Sequence, residues 1–287
     1  MSNASIRIEQ LMLPTYPEPG NEEMPLFSEH RVHQRSTGRP YPNKVVLEVN
    51  RERKIERSYT VVHLENEYLD VLVLPEIGGR IFAARDKVTD YDFFYRQHVI
   101  KPGLIGALGS WISGGVEFNW PYHHRPSGFL PCDFETEECG DGSVICWLSE
   151  HDPIDRMKGM VGIVLKPGCA YLETRVKLCN RTPVTKSFLW WENAAVPVNE
   201  SYQIFFPKDV TYVNFHYLDS RISYPIAGDA TFNGIDMTTA RDISWHKNTK
   251  DATSYFACAS QYDFFGGYDH GLDLSLIHIS EPTRPEP

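Results

Sequence analysis

Ala170-Tyr-Leu-Glu-Thr-Arg-Val-Lys-Leu-Cys-Asn180 alternates apolar and charged residues along its length. Leu172, Val176 and Leu178 project to one side and Glu173, Arg175 and Lys177 to the other, the two-residue period of a half-buried strand. Working outward, Tyr68-Leu-Asp-Val-Leu-Val-Leu74 is almost continuously apolar, interrupted only by Asp70. That pattern predicts a central strand covered on both faces. Further strands are expected over 44–50, 58–66, 67–75, 79–85, 142–149, 160–165, 187–198, 202–206 and 254–259. No twelve-residue window carries a capped helical stripe. Many strands, turns rich in Gly and Pro, and few helices define an all-β chain, a large antiparallel sandwich over residues 44–273. Residues 1–43 hold Pro14, Pro17, Pro19, Pro25, Pro40 and Pro42 and are expected to wrap the domain as an extended N-terminal arm.

With 287 residues, 41% hydrophobic and 23% charged, the chain is long enough for one large β domain. A formal net charge of -10 and a pI near 5.6 argue against a nucleic-acid partner, which needs clustered Lys and Arg to neutralise phosphates. A neutral substrate fits better. No run of about 18 apolar residues occurs, so no membrane span is expected. The first ten residues lack the basic and then apolar pattern of a secretory signal, and a cytoplasmic location is expected. The six cysteines form no C-x-x-C pair and the histidines no H-E-x-x-H, so reduced thiols and neither metal nor other cofactor are expected. Leu274-Ser-Leu-Ile-His-Ile-Ser-Glu-Pro-Thr-Arg284 reads as the translation of a transposase-type sequencing adapter. Residues 274–287 are therefore set apart as a non-native tail, with the natural sequence interrupted near Asp273.

The densest chemistry lies in Trp111-Ile-Ser-Gly-Gly-Val-Glu-Phe-Asn-Trp-Pro-Tyr-His-His-Arg-Pro126. Pyranose rings offer apolar C–H faces to Trp111 and Trp120, while their hydroxyls need donors and acceptors such as Glu117, Asn119, His123, His124 and Arg125. Gly114 and Gly115 let the backbone turn, and Pro121 and Pro126 stiffen the exit. The contrasting reading is an irregular loop that closes the end of a sandwich with its rings as core.

These residues also carry a family likeness. Leu74-Pro-Glu-Ile-Gly-Gly-Arg-Ile81, the stretch 111–126, Asn180-Arg-Thr-Pro183, Phe188-Leu-Trp-Trp-Glu-Asn-Ala-Ala-Val196, Phe206-Pro-Lys-Asp-Val210 and Phe264-Phe-Gly-Gly-Tyr-Asp-His270 resemble a bacterial family of unknown function. That family is grouped with the galactose mutarotase-like (aldose 1-epimerase) superfamily, and its members often carry tetratricopeptide repeats after this domain. The resemblance covers about residues 5–273. It implies a β-supersandwich with a carbohydrate ligand on its concave sheet and tetratricopeptide repeats in the full-length protein. In sugar 1-epimerases of the superfamily a carboxylate takes the anomeric proton while a histidine protonates the ring oxygen. Glu117 with His123 or His124, or Glu192 with His216 or His270, would supply such a pair.

Two functional classes follow. A carbohydrate-active enzyme needs a carboxylate and an imidazole facing each other across a sugar ring, or two carboxylates such as Glu117 and Glu192 roughly 5 to 10 Å apart. A noncatalytic sugar-binding module of a larger repeat protein needs only the rings and hydrogen-bonding groups. Arg80 is expected as a further sugar contact beside the Gly78-Gly79 turn, unless it pairs with Glu76 to fix that turn. In strand 187–198, Trp190 and Glu192 share one face and Trp191 and Asn193 the other. Sequence parity leaves open which face meets the sugar, and Glu192 is favoured because a carboxylate within a central strand needs a partner or a purpose. Trp191 and His270 complete the candidate contacts.

Overall fold

The structure, a computed structural model, describes residues 3–17, 50–105, 109–121, 124–125, 127–152, 155–215, 221–228, 231–232, 235–236, 241–249, 254–257 and 259–279. The chain divides into two compact units, 1–196 and 197–287, where the sequence predicts one sandwich over 44–273. The first unit contains β1 (Ser5–Thr15), β2 (Ile55–Glu65), β3 (Leu69–Leu74), β4 (Arg80–Asp86), β5 (Tyr91–Asp92), β6 (Gly103–Ile105) and β7 (Gly109–Trp111). It continues with β8 (Val116–Asn119), β9 (Asp133–Glu138), β10 (Val144–His151), β11 (Met157–Leu165), β12 (Glu173–Asn180) and β13 (Trp191–Ala194). A first sheet runs β1-β2-β3-β4-β8-β13, with β5 beside β4, and a second runs β12-β11-β10-β9. All their pairings are antiparallel. The fold is the expected all-β antiparallel sandwich, and no α-helix occurs among the described residues.

Side-chain alternation explains how the two sheets meet. In β3, Leu69, Val71 and Val73 form a fully buried row, and in β2 Val62 and Leu64 lie opposite Val73 and Val71. Val116 and Phe118 of β8 extend that row, because Val116 pairs with Ile81, itself opposite Val73. The second sheet answers with Cys146 and Leu148 of β10, opposite Ile163 and Val161 of β11. Gly159 lies two residues before Val161, and a side chain there would collide with the indole of Trp120. Cys132 and Cys146 belong to this interior, where burial pushes their thiols up to about 11 and about 12 and keeps them protonated.

The opposite face of the first sheet carries a second core. Tyr59, Val61, Leu74, Phe82 and Ala83 of the strands bury Ile100, Ile112 and Phe129 of the connecting segments. Desolvation thus fixes the loops that later carry the site, and each such large side chain is worth about 1.5–3 kcal/mol of burial. β3 is central as predicted, yet on this face Asp70 and Leu72 are only half-buried, and Asp70 accepts a 2.5 Å hydrogen bond from His63.

Three local expectations change for physical reasons. Ser5–Thr15, placed within the arm, is extended but is bonded along its whole length to β2. Pro14 fits there because β1 is the outermost strand of its sheet among the described residues. Val176 of β12 is 40% exposed, since β12 is the outer strand of the second sheet and its apolar row is only partly covered. The long strand over 187–198 shrinks to Trp191–Ala194, because its partner β8 is bounded by the Gly114-Gly115 turn and Pro121. Residues 44–49 of the expected strand over 44–50, and most of the arm, lie outside the described residues.

The second unit is built from short antiparallel pieces. β14 (Tyr202–Phe205) pairs with Phe264–Asp269, which also pairs with Leu274–Ile279, the backbone of the stretch set apart as adapter-derived. Tyr212–Phe215 pairs with Arg221–Ser223 and Tyr255–Ala257 around a small core of Val210, Val213, Ile222, Ala227 and Ile243.

The turn before β8 supplies a stability test. Gly115 has φ +67, and a Cβ there would strike the Ile81 carbonyl of the neighbouring strand, whereas nothing lies within 4 Å of a Cβ at Gly140. Gly115→Ala is expected to destabilise the protein by about 1–3 kcal/mol or more, and Gly140→Ala to stay within about 1 kcal/mol of wild type. Urea unfolding of both variants measures the contrast; equal stabilities would contradict the tight turn.

Candidate functional site

Strand pairing settles the parity that the sequence leaves open. Cross-strand neighbours share a face, and β13 pairs Trp191 with Asn119, Glu192 with Phe118, Asn193 with Glu117 and Ala194 with Val116. Glu117, Asn119, Trp191 and Asn193 therefore line one face. Glu192 lies on the other with Phe118, which stacks on Trp190 at 6.3 Å between ring centroids. Thr174 of the second sheet donates a 2.9 Å hydrogen bond to Glu192. The lean toward Glu192 is corrected: its carboxylate points between the sheets, and Glu117 and Glu192 do not flank one cleft.

Glu117 is the centre of the site face. It is 7% exposed. Trp111 Nε1 donates to its Oε2 at 2.7 Å, and His124 Nδ1 meets its Oε1. Burial, the largest single influence, would raise its pKa. The hydrogen bond and charge of His124, the charge of Arg80 and the nearby Asn119 amide together outweigh burial and hold the carboxyl below its usual range. Glu117 is thus an ionised acceptor, and His124 must donate through Nδ1. The His124 ring stands edge-on to Trp191 at 4.7 Å and to Trp111 at 6.2 Å. One carboxylate, one imidazole and two indoles form a single contact network.

Two guanidiniums brace that network. Arg80 is 2% exposed and donates to the carbonyls of Ile77 (3.3 Å), Ile112 (2.6 Å), Gly114 (3.1 Å) and Gly128 (3.4 Å). Burial lowers its pKa to about 10, with the charge of Glu117 opposing the shift, so it stays a cation at neutral pH. Glu76 turns elsewhere, accepting from the Thr60 amide at 2.6 Å and facing Arg57 at 4.0 Å, so the suggested Glu76–Arg80 pair does not form. Arg125 pairs with Glu150 and donates to the Gly78 carbonyl at 2.6 Å, while its backbone amide donates to Asn119 at 3.3 Å.

Two further predicted residues have contacts of their own. Trp120 is 4% exposed and packs over Gly159 in the sandwich interior. His270 belongs to the second unit, where it stacks on Trp245 at 4.8 Å and makes a 2.9 Å hydrogen bond with Gln203. His123, His216 and Pro126 lie outside the described residues. Asn193 was visible only as one branch of the parity argument. Glu150 had no sequence signal, being 25 residues from its arginine on another sheet.

The first unit is thus a β-sandwich with a polar group enclosed by indoles on one sheet face. The profile of a domain of unknown function, DUF5107, matches residues 37–285, and the chain belongs to that family. A solved structure of a TPR-domain containing protein from Parabacteroides distasonis ATCC 8503 is similar over 97% of this chain, with a TM-score of 0.75 and 21% sequence identity. This chain spans 44% of the length of that protein. The likeness shows the shared fold. No helix among the described residues is long and apolar enough to cross a membrane.

The depressed carboxyl of Glu117 fixes a pH dependence. Its stabilising contribution is complete above the ordinary glutamate value of 4.5 and is lost as pH falls through the lower folded value. Wild type is therefore expected to lose stability relative to Glu117→Gln as the solution is acidified from about 4.5 down through the folded value, with no further change beneath it. Parallel urea titrations from pH 7 downward measure the difference; a gap that stays constant or widens in acid would refute the assignment.

Proposed function

We propose that the chain is a carbohydrate-binding domain of galactose mutarotase-like type, with the sugar received on the sheet face that carries Glu117, Asn119, Trp191 and Asn193. The observation that carries this reading is the Glu117 carboxylate, held among the rings of Trp111, His124 and Trp191. Indole faces suit pyranose C–H surfaces, and imidazole and amide groups suit hydroxyls. A cytoplasmic location and tetratricopeptide repeats in the full-length protein belong to the same proposal; the description of the Parabacteroides neighbour supports the repeats.

Among the described residues the titratable groups favour recognition over two-group catalysis. Glu117 and His124 touch each other, so no sugar ring fits between them, and Glu192 lies on the opposite face. A catalytic alternative rests on one specific observation: the carboxylate and the imidazole are in direct contact, so that Glu117 fixes the orientation of the His124 ring. In an aldose 1-epimerase-like reaction His124 would take the anomeric hydroxyl proton as the C1–O5 bond opens to the aldehyde, and water would protonate the departing ring oxygen.

Calorimetry of the folded protein against neutral monosaccharides and oligosaccharides tests the reading. At least one sugar is expected to bind, and Trp191→Ala to weaken it roughly tenfold, as expected for losing about 1.4 kcal/mol of stacking. NMR exchange between anomers, abolished in His124→Gln, would establish the catalytic alternative. Binding without exchange or cleavage would establish the module, and absence of binding to every sugar would defeat both.

A further inference from the structure

The segment that presents His124 is anchored from the far side of the sandwich. Arg125, next in the chain, sends its guanidinium to Glu150 of β10, a strand of the second sheet, and to the Gly78 carbonyl at 2.6 Å. Its backbone amide meanwhile donates to Asn119, two residues from Glu117 on the same sheet face. We propose that Glu150 is a positioning residue for the Glu117–His124 pair, acting through Arg125. The proposal rests on the reading of that pair as the polar centre of the site.

Geometry and burial support the role together. The side chains of Arg125 and Glu150 are 9% and 20% exposed, so solvent screens their attraction little and removal of either leaves a largely desolvated charge. Beside the guanidinium is a small gap lined by Phe118, Trp120, Cys132, Leu148 and Ser149. Arg125 Nε is buried there without a hydrogen-bond partner. No hydrogen bond holds the guanidinium from that side, and the direction of Arg125 is set by Glu150 and the Gly78 carbonyl. Gly78 is itself locked to the same loop, because its amide donates to Leu130 and any Cβ would strike the Gly128 carbonyl. Glu150, Arg125 and the Gly78-Gly79 turn thus form one clamp, and His124 is the residue beside its hinge point. Arg125 is a brace in this arrangement, with both terminal nitrogens occupied by protein acceptors.

The readout is the His124 Nδ1–H proton, followed by long-range proton–nitrogen NMR of the full chain without ligand. In wild type this proton is donated to Glu117 and is expected to exchange slowly with water. Glu150→Gln is expected to raise its exchange rate at least roughly tenfold while unfolding stays cooperative, because the segment opens locally before the protein unfolds. Glu137→Gln, which alters an exposed carboxylate on the adjoining strand, is expected to leave the rate unchanged. An unaltered rate in Glu150→Gln would overturn the proposal. Should that variant fail to fold, Arg125→Lys decides the matter: lysine keeps the charge but lacks the forked donors, so faster exchange supports the clamp and a wild-type rate refutes it. Sugar calorimetry on the same samples separates the two claims. Faster exchange in Glu150→Gln with no sugar bound by wild type would sink the carbohydrate reading and leave the positioning role standing.

Discussion

Arg80 holds the functional end of the first unit together through carbonyl oxygens. A guanidinium offers five donors in a rigid fork, and here four hydrogen bonds reach Ile77, Ile112, Gly114 and Gly128, in three separate stretches of chain. These stretches are loops, with few ladder bonds of their own. A buried cation substitutes for the missing ladder, and the carbonyls in turn satisfy a charge that would otherwise be costly to bury. Glu117 supplies the nearby negative charge. The same residue that closes the loops therefore helps keep Glu117 ionised, and an ionised Glu117 orients His124. Structure and site chemistry depend on one buried arginine.

The sequence showed the location of this chemistry but not its wiring. The concentration of rings and polar side chains over 111–126 is a compositional signal, and Trp111, Glu117, Asn119, His124 and Arg125 do converge there. Parity was illegible, because a strand of period two places Trp190 and Glu192 on one face and Trp191 and Asn193 on the other whichever way it is turned. Only the register with β8 decides between them. Arg80 was recognised for its setting beside two glycines, yet its acceptors are main-chain atoms, which carry no residue identity to read. The Arg125–Glu150 pair has no sequence signature because it joins the loop after β8 to a strand of the second sheet, 25 residues along the chain. Trp120 looked like a sugar platform for the same reason Trp111 did, and only the small Gly159 opposite it reveals a core residue.

The all-β class was easier to read than the organisation of the strands. Alternation in 170–180 and the apolar run in 68–74 are local properties of the chain, and both segments are strands. How far each row is covered depends on neighbours: Val176 is exposed at an outer strand, while Leu69, Val71 and Val73 vanish into the centre. Pro14 similarly suggested an irregular arm, although an outermost strand tolerates the missing donor.

The arrangement around Glu117 also limits what chemistry the site can perform. A carboxyl held below its ordinary pKa is a weak proton acceptor, and both of its oxygens already receive hydrogen bonds, from Trp111 and His124. Brønsted behaviour disfavours such a group as the direct base at neutral pH. Its charge is better suited to stabilising an imidazolium, as the buried carboxylate does in hydrolytic triads. On the proposed reading, any proton transfer at this face is carried by His124, with Glu117 as the group that orients the ring and answers its charge. This reverses the division of labour expected from the superfamily, in which the carboxylate takes the proton and the histidine gives one. A carboxylate hydrogen-bonded to the imidazole cannot also lie across a sugar from it, so the contact between Glu117 and His124 is itself the reason that the epimerase arrangement and this one exclude each other.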